Sequence, residues 1–180
     1  METSAVTTKK ERTKKSKNQK IETLLYSHSI ITRKVDLKCV NIGRNLMQTF
    51  DAYIKTHYEG KCSVEGYIKP GSVNVISYSG GKTYGDLISF NVVFDCDICS
   101  PVEGMHILCT AINITKAGIR AESKESPSPV VVFIARDHYY DNDTFNSINE
   151  GDTILIRVIG SRFELNDTKI SVIAELMGKK

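Results

Sequence analysis

Cys96, Cys99, His106 and Cys109 place four potential zinc ligands within fourteen residues, and two thiolate or imidazole pairs at such spacing can close a tetrahedral site. The second pair, His106-x-x-Cys109, falls in strand-like sequence, where residues three apart face opposite sides of a sheet. Cysteine also serves as a small buried apolar residue, so these thiols read as core and no metal is expected. Gly80-Gly81-Lys82-Thr83 resembles the end of a phosphate-binding loop. That motif needs a glycine where Ile76 stands and a helix afterwards, which Tyr84-Gly85-Asp86 does not begin. The four histidines, at 28, 57, 106 and 138, flank no nucleophile elbow and no His-Glu-x-x-His pair. Arg136-Asp137-His138 reads as a polar strand end. Asp95 and Asp97 share one strand face, but a general acid–base pair needs a cleft, which nothing in the sequence marks. No catalytic constellation and no cofactor are expected. The residues describe a binding module.

The elements that carry these residues follow from periodicity. Ile30 to Val40 alternates apolar positions and predicts a strand, punctuated by Asn41 and Gly43. Leu46, Met47, Phe50, Tyr53 and Ile54 recur at three- and four-residue steps, one amphipathic helix face that Gly60 ends. Cys62 to Ile68 is the next strand, and Pro70-Gly71 turns the chain. Val73, Val75 and Tyr78 begin another strand, Ser79 to Lys82 reverses it, and Leu87 to Ile98 forms a longer one. From Pro101 onward no helical period is present. His106–Ile114, Gly118–Glu122, Val130–Ala135, Thr153–Ile159 and Lys169–Leu176 are five strand-like segments separated by turn residues. Five short strands in about 75 residues predict a small Greek-key barrel of the oligonucleotide-binding kind.

Composition bounds the rest. The 180 residues are 41% hydrophobic and 25% charged, as expected for one ordinary domain or two small ones. No run approaches the roughly 18 apolar residues of a membrane helix, and residues 1–20 have no apolar core that would make a secretory signal. An intracellular, reduced setting is therefore expected. Five cysteines, an odd number, fit no disulfide framework, and the Asn-x-Thr triplets at Asn113, Asn142 and Asn166 read as chance matches. The net charge of +3 hides an asymmetry: residues 1–20 hold seven basic and two acidic side chains, and the remainder is slightly acidic. The basic segment is expected to be a disordered tail through residue 27, and the folded part lacks the bulk charge of a duplex-DNA binder.

Gly151-Asp152-Thr153-Ile154-Leu155-Ile156-Arg157-Val158-Ile159, with Lys169-Ile170-Ser171-Val172, resembles the closing half of an S-one-type RNA-binding barrel. Ala111 to Ala121 resembles its opening half, and Val130-Val131-Val132-Phe133-Ile134 its central strand. Upstream, the strand and helix, Glu59-Gly60-Lys61-Cys62, Val73-Asn74-Val75-Ile76 and Phe90-Asn91-Val92-Val93-Phe94 lead through Ser100-Pro101-Val102-Glu103-Gly104 into that barrel. The order is similar to the seventh-subunit family of multisubunit RNA polymerases, called E-prime in archaea. The resemblance implies an α+β chain: a ribonucleoprotein-like tip domain over 28–100, then a five-stranded oligonucleotide-binding barrel over 101–178. It implies a noncatalytic stalk subunit of a DNA-directed RNA polymerase. The tip would dock on the core subunits, and the barrel, with a fourth-subunit partner, would stand near emerging single-stranded RNA. Divergence, the added tail and an Ile/Asn/Lys-leaning composition suit a large DNA virus carrying its own polymerase. The expected location is then the virion or host cytoplasm, or the nucleus for a cellular subunit.

The sequence departs from that pattern where barrels that grip RNA place aromatics around the turn glycine, since Ala117 and Arg120 occupy those positions. Each lost stacking platform is worth about 1–3 kcal/mol per base, so an electrostatic contact is expected instead. Its candidates are Lys116, Arg120, Arg136, His138, Tyr139, Arg157 and Lys169. The bland reading of the same residues is a solvated surface balancing Glu122, Asp137, Glu164 and Asp167. Docking candidates implied by the resemblance are Gly66, Lys69, Pro70 and Gly71, and Tyr84 in the Ser79–Asp86 turn. A free-standing RNA-binding or translation-related protein with the same barrel is the alternative.

Overall fold

The computed structural model describes residues 25–139 and 143–179. The basic stretch expected to be a tail lies outside the described residues up to residue 24, as does Asn142. Leu25 to Ser27, assigned to the tail from sequence, are instead part of the fold. Leu25 is buried and Tyr26 opens the first strand, because these residues have the barrel to pack against.

The N-terminal sheet is organised around two long strands. β1 (Tyr26–Lys38) and β6 (Leu87–Cys99) pair antiparallel in continuous register from Tyr26↔Cys99 to Lys38↔Leu87. The other edge of β6 takes three short strands: β3 (Gly66–Ile68), β4 (Asn74–Tyr78) and β5 (Lys82–Tyr84). β2 (Cys62–Ser63) pairs with β3, so the continuous strand expected over 62–68 is a tight hairpin. Lys82 to Tyr84, read as turn residues, add a strand because β6 is long enough to pair with them.

One face of this sheet is closed by α1 (Leu46–Tyr58). Its apolar spacing buries Phe50 and Ile54 completely, against Val35, Phe90, Val92 and Phe94. The Phe50 ring lies 5.0 Å from both Tyr78 and Phe90. Gly60, with φ of +71°, supplies the left-handed residue that ends the helix, as its position in the sequence predicts.

Downstream of Pro101 the chain forms the expected closed barrel. Its strands are β7 (His106–Ile114), β8 (Gly118–Ser123), β9 (Val130–Ala135), β10 (Thr153–Arg162) and β11 (Ile170–Lys179). β7 pairs β8, β8 pairs β9, β9 runs parallel to β11, and β10 lies between β11 and β7. Ile119, Ala121, Val132, Ile134, Ile154, Ile156 and Ile170 alternate inward and fill the interior. One expectation fails here: a short helix, α2 (Asp143–Asn146), bridges β9 and β10. Four residues are too few to show a helical period in the sequence. Phe145 anchors α2 by inserting into the barrel core.

The junction near residue 100 is continuous rather than a linker. Leu25, Cys62, Tyr67 and Cys99, all upstream of it, pack in the barrel's cluster. Cys62 N–H donates to the Asp167 carbonyl at 2.7 Å, and Asn166 N–H donates to the Cys62 carbonyl at 2.9 Å. The β10–β11 turn is thereby stitched to the edge of the N-terminal sheet.

Candidate nucleic-acid interface

The outer face of β8, β9 and β11 is the most built surface on the barrel. Strand alternation sends Ile119, Ala121, Val132 and Ile134 inward, so Arg120, Glu122 and Phe133 point outward. Register then places Arg120 opposite Phe133, and Phe133 opposite Ile173. The result is a row across three strands in which Phe133 is 41% and Ile173 57% exposed. Gly118 makes room for this arrangement. A Cβ there would stand 2.1 Å from the Ile134 carbonyl oxygen and 3.1 Å from Phe133 Cζ, so the aromatic ring reaches across bare backbone.

Phe133 is the residue that sequence reasoning missed. The positions around the turn glycine where aromatics are expected hold Ala117 and Arg120, whereas this ring approaches the same glycine from the neighbouring strand. The available signal was the alternation of Val130 to Ile134, which turns the aromatic away from the core.

The seven cationic or aromatic candidates divide into three kinds. Lys116 is exposed in the β7–β8 turn and makes no ion pair among the described residues, and His138 is exposed beside the end of β9. Arg120 and Lys169 converge on a single carboxylate oxygen of Glu122, at 3.8 and 2.8 Å. Arg157 pairs across strands with Glu175. These are exposed or half-exposed pairs, each worth about 0–1 kcal/mol, so a phosphate can displace the carboxylate at little cost.

Arg136 and Tyr139 are committed to the fold. Arg136 donates to the Thr115 carbonyl at 3.2 Å and to Asn146 Oδ1 at 3.4 Å, and its guanidinium stands 5.1 Å from the Phe145 ring centre. Tyr139 stacks on Phe145 at 5.1 Å, and its hydroxyl accepts the Leu176 N–H at 2.6 Å. Burial raises the Tyr139 hydroxyl above its ordinary range, which keeps it a neutral partner for that amide. Both side chains pin the connection between β9 and β10.

The docking candidates are not one site. β3 meets β6 at Ile98 and Cys99, whereas β5 meets it at Leu87. The intervening stretch of β6 separates the two loops by about 35 Å, at roughly 3.3 Å per residue. Gly66 is buried, with φ of +137° and room for a Cβ only 2.4 Å from the Cys99 carbonyl oxygen. It serves backbone packing inside the sheet. Lys69 lies 4.8 Å above the Tyr26 ring, and Pro70 and Gly71 are exposed beside it, near the barrel. Tyr84, 65% exposed, stands at the opposite end with Val40, which is 90% exposed. Cys39 N–H donates to the Asp86 carbonyl at 3.1 Å and ties those two loops together.

The three cysteines of the candidate zinc set occupy two separate interiors. Cys96 is in the core under α1, and Cys99 and Cys109 are in the barrel cluster. Burial pushes the thiol of Cys96 up to about 11 and those of Cys99 and Cys109 up to about 12. His28, 3.3 Å from Asp97 and 3.8 Å from Asp95, sits on the outer face of the β1–β6 ribbon. Among the described residues no group of three or more His, Cys, Asp or Glu side chains is placed to hold a metal.

No protein-family model matches this chain. Over 155 residues it is 28% identical to a protein of Acanthamoeba polyphaga mimivirus named "Putative DNA-directed RNA polymerase subunit L376", an alignment covering 76% of this chain and 72% of that protein.

Proposed function

We infer that this chain is a noncatalytic subunit of a multisubunit DNA-directed RNA polymerase, built as a stalk. The observation that carries the reading is the alignment with the mimivirus polymerase subunit over 76% of the chain. A closed five-stranded barrel joined to a six-stranded sheet that α1 covers supports the stalk form. In this reading the end of the sheet bearing Val40 and Tyr84 docks on the polymerase core, because the opposite end is occupied by the barrel. The barrel's outer row of Arg120, Phe133 and Ile173, with Lys116 and Lys169 beside it, meets single-stranded RNA. An aromatic ring flanked by displaceable cations is the combination that binds such strands with little sequence preference.

The test is reconstitution and affinity purification of the polymerase with the tagged full chain. Stoichiometric recovery of the large polymerase subunits is expected, with loss on Tyr84→Asp. Recovery with ribosomes or messenger RNA in place of polymerase subunits would replace this reading with that of a free RNA-binding protein.

A further inference from the structure

On the outer face of β8 one carboxylate serves two cations. Glu122 Oε1 accepts the Lys169 ammonium at 2.8 Å and lies 3.8 Å from the Arg120 guanidinium. Neither cation has another carboxylate within ion-pair distance among the described residues. Lys169 is 47 residues further along the chain and reaches Glu122 from just before β11, so barrel closure is what builds the set. Val131 stands opposite Glu122 on one side and opposite Ser171 on the other. These two short side chains form a low floor beneath the three charged ones.

The place of the carboxylate gives it a meaning. Glu122 is two residues beyond Arg120 on β8, and Val131 is two before Phe133 on β9. The carboxylate therefore sits one outward position, about 7 Å, from the row of Arg120, Phe133 and Ile173. A base covering the Phe133 ring brings its own phosphate within that reach. Glu122 is 25% exposed, against 57% for Arg120 and 38% for Lys169, so it is the inner member and the cations keep faces open to solvent. Carboxylate and phosphate oxygens are the same kind of acceptor for guanidinium and ammonium donors.

We propose that Glu122 is a built-in competitor for the RNA phosphate: it fills the anion position beside Phe133 in the free protein, and a bound strand has to displace it. Two cations and one carboxylate leave a single net positive charge there. Removing the carboxylate's charge would free both cations and abolish its repulsion of the incoming phosphate. Glu122 thus holds the face at low affinity, as suits a surface over which a strand moves rather than stays. The inference rests on the RNA reading of the barrel face given above.

The experiment measures binding of a labelled single-stranded oligouridylate to the full chain by fluorescence anisotropy over a range of salt. Glu122→Gln keeps the shape of the side chain and removes its charge. It should tighten binding about fivefold at low salt and steepen the log–log salt slope by about 0.7, the share of one further phosphate on a single strand. The melting temperature should stay within about a degree, because the pairs are on the surface. When Arg120 and Lys169 are both alanine, the same substitution should gain less than about twofold, since no cations remain to be freed. Unchanged or weaker binding by Glu122→Gln would overturn the proposal, as would an equal gain in both backgrounds, which is a general effect of charge. No binding by the parent or by Glu122→Gln at any salt would instead defeat the RNA reading of the face, and the competitor with it.

Discussion

Side-chain burial separates the cysteines by reactivity. Cys62 and Cys96 are pushed up to about 11, and Cys99 and Cys109 to about 12, by desolvation, while Cys39 is exposed. At pH 8 a maleimide or disulfide reagent should modify Cys39 alone in the native protein and all five thiols after denaturation, as counted by mass spectrometry. The same shifts predict the alkaline limit. The folded values lie above the ordinary 9.0, so the fold retains protons that the unfolded chain releases once pH exceeds 9. Stability is therefore complete below pH 9 and falls between pH 9 and about 11 to 12, by at most about 1.4 kcal/mol per pH unit for each thiol. A melting temperature that is flat across that window would contradict the burial of these groups. Phe133 has its own test. Phe133→Ala should weaken single-stranded RNA binding about tenfold at one salt concentration, the loss of one stacking platform. Under the proposed RNA contact, Arg120→Ala and Lys169→Ala should each flatten the salt dependence, because each would remove one phosphate partner. Binding that ignores both salt and Phe133 would leave the barrel face without a role in RNA contact.

Individual elements show where substitution harms the fold and where it harms only a surface. α1 is held by Phe50 and Ile54, neither of which has any exposed surface. Phe50→Ala should cost about 3–5 kcal/mol, a large share of what a domain of this size can lose. Chemical denaturation should show the N-terminal sheet melting first. Gly66→Ala is expected to destabilise comparably, since its Cβ would meet the Cys99 carbonyl at 2.4 Å in a backbone conformation that side chains avoid. Changes spanning Gly66 to Gly71 would therefore weaken polymerase binding by unfolding the sheet, and cannot test docking. Tyr84→Asp replaces an exposed ring over which Lys34 Nζ stands at 5.7 Å, a surface contact, and should leave the melting temperature within about a degree, so any loss of polymerase binding is a loss of contact.

At the scale of the molecule, the barrel and the N-terminal sheet behave as joined units, because Leu25, Cys62, Tyr67 and Cys99 complete the barrel's own core. A barrel expressed from residue 101 onward should be less stable than in the full chain, which thermal melts of the two would show. Deleting residues 1–20 should shift the melting temperature by no more than about two degrees, since that stretch has seven basic residues and little to bury. For α1, β1, β6 and the five barrel strands, type and order were legible from residue pattern alone. Alternation in β7 to β11 and the three- and four-residue spacing from Leu46 to Ile54 depend only on neighbours along the chain. Tertiary structure decided what depends on residues far apart in sequence. Phe133 lies across Gly118, and Arg120 and Lys169 share Glu122, only because barrel closure brings three strands into register. Arg136 and Tyr139 became supports of the fold once Phe145 was placed beneath them. The two docking loops separated because both hydrogen-bond to one strand, β6, at opposite ends. Spacing along a chain reports which side of an element a residue faces. Which residues meet across that face is settled by register and closure, and these are properties of the whole fold.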